Sequence, residues 1–388
     1  MPEIDIDRVR SETLGCSRVI HFNNAGASLM PDPVFNAVQD HLQLERCIGG
    51  YEAQEENQDK YNRFYTAFSE LFNCQPDEIA YVENATRAWD MAFYSVPFEP
   101  GDRILTGQSE YVSNYLAMLQ IVERKGVIVD IVPDDDCGQI DLVELEAMID
   151  DRVRLIALTH VPTQGGLVNP AIEVGRVARK HNVFYLLDAC QSAGQIPIDV
   201  QKIGCDMLSA TGRKYLRGPR GTGVLYVRRP LIERLVPPFI DLRSAQWHDA
   251  ESYTIRKDAR RFENWESFVA GRIGLARAVD YALEIGIKEI WQRTRRLGQQ
   301  LRKQLGAKHG IQTHDLGERK CGIVTFSKEG ESPFAIEKRM RSRNINVNVA
   351  QAQSARLDMS ARRLDAIVRA SIHYFNTESE IDRFCDEL

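Results

Sequence analysis

Over the first two thirds of the chain, short runs of apolar residues alternate with stretches of helical spacing. The runs 79–82, 103–106, 127–132, 155–159, 183–187, 207–210 and 224–227 are largely apolar without a regular polar alternation. That pattern reads as strands buried on both faces, as in a parallel sheet covered by helices. Between them, segments such as 170–181 carry helix spacing, with Pro170 near the first turn, where its missing N–H is not needed. From about residue 267 the pattern changes to long helices over 271–285 and 287–305, then to strands over 322–326 and 367–372. The expected fold class is α/β, with a mostly parallel seven-stranded sheet between helices in a large domain of residues 15–265. A smaller α+β C-terminal domain is expected over residues 266–388, joined by residues 1–14.

Composition narrows the function classes. With 388 residues, 43% of them hydrophobic, the chain can bury one large core and one smaller one. A net charge of -6 with scattered basic residues argues against a nucleic-acid partner. The eight cysteines form no Cys-x-x-Cys pair and match no histidine cluster, so neither a metal site nor a disulfide framework is expected. The acidic N-terminus lacks an apolar signal core and no run approaches a membrane span, which predicts a cytoplasmic protein with no membrane partner.

Two segments carry candidate chemistry. Lys214 lies in the run Ser209-Ala210-Thr211-Gly212-Arg213-Lys214, ahead of Gly218, Gly221, Gly223 and the apolar stretch 224–227. A lysine that forms a Schiff base needs small neighbours, because an aldehyde-bearing ring must approach the backbone closely. Ser209 and Thr211 offer hydroxyls to a phosphate. Taken alone, the run reads more readily as a surface lysine in a glycine-rich hairpin, since short glycine patterns recur by chance. Asp188 ends the apolar segment 183–187, where an unpaired acid is costly, and a protonated pyridine nitrogen is a partner that would compensate it. A helix N-cap is the alternative for Asp188. Together the two segments suggest a pyridoxal phosphate enzyme.

The order of these motifs resembles the class V aminotransferase superfamily, which includes cysteine desulfurases, selenocysteine lyases and isopenicillin N epimerase, from about His21 to the C-terminus. The resemblance implies the fold type I of pyridoxal-phosphate-dependent transferases, a pyridoxal 5'-phosphate cofactor and a homodimer with shared active sites. Asn84-Ala85-Thr86 resembles the phosphate-binding turn, and amides at a helix start are an anion site on physical grounds alone. Glu110-Tyr111-Val112-Ser113-Asn114 resembles the family's Glu-His-His-Ala-Asn, which places Tyr111 on the ring face. Thr159-His160-Val161-Pro162-Thr163 resembles Thr-His-Val-Ser-Asn, so Thr163 replaces an asparagine that bonds the ring hydroxyl and Gln191 becomes the better candidate for that contact. Arg213 stands where the family commonly has histidine, and its permanent charge suits phosphate. Arg369 matches the arginine that clamps the substrate carboxylate, and the backbone amides of Gly26 and Ala27 are expected on the same side. The run Asn23-Asn24-Ala25-Gly26 reads equally well as a simple turn.

Two departures bear on the reaction. The family's desulfurases use a mobile cysteine shortly before the substrate arginine, whereas residues 343–369 contain none. Around residues 261–267, Trp265-Glu266-Ser267 replaces the Ala-Gly-Thr whose threonine reaches the partner subunit's phosphate, and Glu266 is expected to point away from it. The expected activity on an amino-acid substrate is a carbon–sulfur or related β-elimination lyase through a Lys214 aldimine, without a persulfide cysteine. The similarity is strongest to the hercynylcysteine sulfoxide lyase-like branch. An aminotransferase or a racemase/epimerase of the same fold, and a noncatalytic binding protein that keeps the fold, are the alternatives.

Overall fold

The computed structural model describes residues 4–388. Seven strands form the main sheet: β1 (Ile79–Val82), β2 (Arg103–Gly107), β3 (Ile128–Val132), β4 (Val153–Thr159), β5 (Phe184–Asp188), β6 (Met207–Thr211) and β7 (Gly223–Val227). Their spatial order is β1-β7-β6-β5-β4-β2-β3. All neighbours run parallel except β7, which is antiparallel to both β1 and β6. The apolar runs end within two residues of the expected positions, because a strand buried on both faces must be apolar at nearly every position.

The two faces of the sheet build separate cores. One gathers Leu105, Ile156, Leu158, Tyr185 and Leu187 with the helices Gln58–Phe72 and Ala171–Lys180. The other gathers Ile104, Ala157, Leu186 and Met207 with the helices Ala85–Phe93 and Val112–Lys125. Strand alternation puts Asp188 on the Leu186 side, toward the second pair of helices. Because β2 and β3 turn one way from β4 while β5 and β6 turn the other, the crevice at the C-terminal ends of β2 and β4 is the topological switch point where ligands bind in such sheets.

The smaller body is a four-stranded antiparallel sheet of β8 (Ile311–Thr313), β9 (Ile323–Lys328), β10 (Asn348–Gln351) and β11 (Ala366–Ser371), in the order β8-β9-β11-β10. Its core joins Val324, Phe326 and Val368 to Leu297, Leu301 and Leu305 of the helix Ile287–Gly306. Two contacts depart from the expected boundaries. Leu275, Ala276, Ala278 and Val279 of the helix Val269–Ile285 pack into the large-sheet core. Ile20 and Phe22 pack into the small core, with Ile20–His21 pairing in parallel to Ile345–Asn346. The helix Val269–Ile285 thus packs with the large body, and Ile20 and Phe22 with the smaller one. No helix among the described residues is long and apolar enough to cross a membrane.

Candidate active site

Lys214 follows β6 by three residues, in the connection that leads back along β7. The turn closes through Arg217 N to Lys214 O at 2.9 Å and Gly218 N to Gly212 O at 2.8 Å. Arg217 sits at φ 61, the left-handed region that residues other than glycine seldom adopt. Three acceptors on distant segments hold it there: Leu29 O at 2.8 Å, Tyr374 Oη at 2.7 Å and Thr13 Oγ1 at 2.6 Å. The lysine loop is thus fastened from outside, a role the sequence motif did not announce.

Lys214 is buried and forms no salt bridge among the described residues. Burial pushes its pKa below the ordinary 10.5, and nearby Arg213 and Arg369 push the same way, while Cys190 and Asp188 oppose them. The shift is toward the neutral amine, the form that attacks a carbonyl or accepts a proton. Arg213, Asp188 and Arg369, expected from separate parts of the chain, all lie near enough to Lys214 to act on its charge.

Asp188 is buried and receives Cys190 N at 2.8 Å and Asn114 Nδ2 at 2.9 Å. It shares a register row with Thr159 on β4 and Ser209 on β6. Ser209 is fully buried, and its hydroxyl has no partner among the described residues. Tyr111 is the N-cap of the helix Val112–Lys125 and lies close enough to influence the charge on Arg369.

On the other side of Lys214, Arg369 is buried on β11 with no carboxylate partner among the described residues. Its Nη1 donates to Thr163 Oγ1 at 2.7 Å, its Nη2 donates to Asn23 Oδ1 at 3.3 Å, and its Nε has no acceptor. Gln191 Nε2 donates to Ala25 O at 3.1 Å and to Thr163 Oγ1 at 3.3 Å, which leaves Oε1 buried and without a donor. Gly26 and Ala27 depart from expectation. Their amides donate to Asn23 O at 3.0 and 3.1 Å, so the turn itself uses the donors that a carboxylate would need. Asn23 faces Arg369 instead.

The anion cradle lies at the start of the helix Ala85–Phe93. Asn84 caps it, its Oδ1 receiving Arg87 N at 2.9 Å, and the first-turn amides of Ala85 and Thr86 are free of intrahelical partners. A Cβ on Gly223 would lie 2.7 Å from the Asn84 carbonyl carbon, so glycine is what lets this turn approach β7. Gly223 is the register partner of Thr211, whose hydroxyl receives Arg213 Nη1 at 3.0 Å. Gly223 thus brings the Asn84 turn close to the strand paired with Thr211, whose hydroxyl also donates to Thr222 O at 3.4 Å. Trp265, Glu266 and Ser267 line a different cavity, with Tyr61 and Arg243, whose walls include none of the residues around Lys214.

A buried amine of depressed pKa, a buried carboxylate near it, a helix start whose first amides can take an anion and three buried polar atoms with no partner among the described residues fit pyridoxal phosphate, and the class they define is a pyridoxal-phosphate-dependent enzyme of fold type I. The aminotransferase class-V family model matches residues 20–384, and the chain belongs to that family. A probable cysteine desulfurase of Pyrococcus abyssi is 27% identical over 98% of this chain and 96% of its own. One from Xylella fastidiosa is 30% identical over 95% and 90%. Among solved structures, an apo cysteine desulfurase of Thermococcus onnurineus superposes with a TM-score of 0.93 at 25% identity, covering 100% of this chain and 97% of the other. The cystine C–S lyase C-DES, solved with cysteine persulfide, superposes with a TM-score of 0.87 at 23% identity over 96% and 97%.

Proposed function

We propose that this enzyme eliminates the β substituent of a sulfur-bearing amino acid without forming a protein persulfide. In balance, R–S–CH2–CH(NH3+)–COO− and water give R–SH, pyruvate and ammonium. Bound pyridoxal phosphate supplies a protonated pyridine ring that withdraws electrons from the substrate's α carbon. Arg369 takes the substrate carboxylate bidentately and so sets the angle of the α carbon's bonds. Lys214 accepts the α proton. Asp188 would meet the ring nitrogen, Tyr111 would cover the ring and Gln191 Oε1 would receive the ring hydroxyl. Ala85, Thr86, Thr211 and Arg213 would hold the phosphate, with Asn84 shaping the turn.

The observation that carries the reading is the strand beside Arg369. Asn348 on β10 is the register partner of Arg369, and β10 continues into the short helix Arg356–Ala361, with no cysteine anywhere over 343–369. Cys190 stands near Lys214, yet burial pushes its thiol pKa well up, Asp188 adding to the effect, and a protonated thiol is a poor sulfur acceptor. The desulfurase names of the sequence relatives support chemistry at the same carbon–sulfur bond.

Incubation with cystine, cysteine and S-substituted cysteines tests the reading. Pyruvate and ammonium in equal amounts are expected. Alanine with protein-bound sulfur, or amino transfer to an added keto acid, would overturn it. We also read the active form as a cytoplasmic homodimer. The exposed aromatic side chains Trp247, Tyr253 and Trp265 support the dimer, since they leave large apolar surface open on a single chain. Sedimentation at the mass of one chain, 44.1 kDa, would remove the homodimer reading.

A further inference from the structure

Behind Asp188 lies a second buried acid that the proposed reaction does not use. Glu110 is 3% exposed, and no salt bridge reaches it among the described residues. Four donors satisfy it instead, all of them neutral. Oε1 receives Asn114 Nδ2 at 2.9 Å, Tyr111 N at 2.8 Å and the Thr159 hydroxyl, while Oε2 receives the Thr106 hydroxyl at 2.9 Å. Asn114 Nδ2 donates once to Glu110 and once to Asp188, each at 2.9 Å. Both amide hydrogens are thereby committed, and a flipped amide would turn its oxygen toward two acids.

A carboxyl buried without a cation is costly, so an apolar residue at this position would be the more stable choice were packing alone at stake. Replacing it would leave one Asn114 N–H and the Tyr111 N–H without acceptors. Burial raises the pKa of Glu110, Asp188 adds to the rise, and the surrounding hydrogen bonds oppose it. Glu110 also immediately precedes Tyr111, the helix N-cap, and accepts its backbone N–H, so one side chain touches the supports of both expected ring contacts.

We propose that Glu110 is a positioning residue: it anchors Asn114 and, through that amide, fixes the Asp188 carboxylate against the cofactor's ring nitrogen. The role rests on Asp188 meeting that nitrogen and is independent of which substrate bond is cleaved. It acts by hydrogen bonding, so the neutral isostere preserves it. Glu110→Gln keeps an oxygen for Asn114 and Tyr111 and turns its amide toward the Thr106 hydroxyl, which can accept.

The test is titration of the full-length apoenzyme with pyridoxal phosphate, followed by absorbance. Glu110→Ala and Asn114→Ala are each expected to weaken binding about tenfold, the effect of one hydrogen bond to a charged acceptor. The double variant is expected to bind no worse than the weaker single variant, since both act on one chain of contacts. Glu110→Gln is expected to stay within about threefold of the parent, short of the loss of one such bond. The pH at which the bound cofactor's visible absorbance titrates should shift in Glu110→Ala and not in Glu110→Gln. Additive losses overturn the proposal, as does a lower apoenzyme melting temperature with unchanged affinity and spectrum. If Glu110→Ala fails to fold, Asn114→Ala and Glu110→Gln decide: weak binding in the first with near-parent binding in the second supports it, and any other pairing overturns it. An Asp188→Asn variant with unchanged affinity and spectrum would overturn the placement of Asp188 itself, and the role of Glu110 with it.

Discussion

Nη1 of Arg369 donates to both the carbonyl and the hydroxyl oxygen of Thr163, at 3.1 and 2.7 Å. A guanidinium so deeply buried meets only neutral oxygens, and burial pushes its pKa down. On the proposed reading, a substrate carboxylate would supply the missing negative charge. Arg369→Lys keeps a cation but loses the planar fork. It is expected to lower kcat/KM at least about tenfold, mostly through KM, a loss of about 1.5–3 kcal/mol for a charged hydrogen bond. Steady-state kinetics with the preferred substrate check this, and an unchanged KM would remove Arg369 from the carboxylate site.

Lys214→Ala is expected to abolish the visible absorption band of the purified enzyme while the far-ultraviolet dichroism stays that of the parent. In the parent, burial holds the amine pKa below 10.5, so uptake of cofactor by the apoenzyme should accelerate as pH rises and level off below that value. Stopped-flow absorbance gives the profile. A midpoint at or above the ordinary lysine value would contradict it.

Gly223→Ala places a Cβ against two backbone groups, 2.7 Å from the Asn84 carbon and 3.0 Å from Ala210 O. Neither can rotate aside, so the phosphate turn must move away from β7. Overpacking of this kind costs about 1–3 kcal/mol. The expected result is weaker binding of pyridoxal phosphate, with pyridoxal, which lacks the phosphate, affected less. Equal losses for the two ligands would show that the turn does not hold phosphate.

His160 is buried, its Nδ1 3.0 Å from Ser192 Oγ, and burial depresses its pKa to about 3, with Arg319 acting the same way. Buried His373 is pushed down well below the ordinary 6.5 as well. The unfolded chain therefore binds protons that the folded chain refuses. Their contribution to stability is complete above pH 6.5 and is lost as pH falls toward the depressed folded values. The apoenzyme's melting temperature should fall over that interval, and His160→Asn should flatten the fall. A profile unaltered by the substitution would deny His160 this part.

The extent of the seven main-sheet strands, and the placement of Asp188 at one strand end and of Lys214 just beyond another, were readable from the chain because an apolar run and the polar residue that stops it are neighbours in sequence. Partnership across the fold has no such local mark. Asn114 meets Asp188 from 74 positions away, and Arg217 is held by Thr13 from 204. Whether Gly26 and Ala27 offered their amides to a substrate or spent them on Asn23 depended on how one turn closed. The helix Val269–Ile285 is buried over most of its surface, and only the surface it met assigned it to the large core. Periodicity declares which faces must be covered; which side chains satisfy one another's hydrogen bonds and charges is decided when those faces come together.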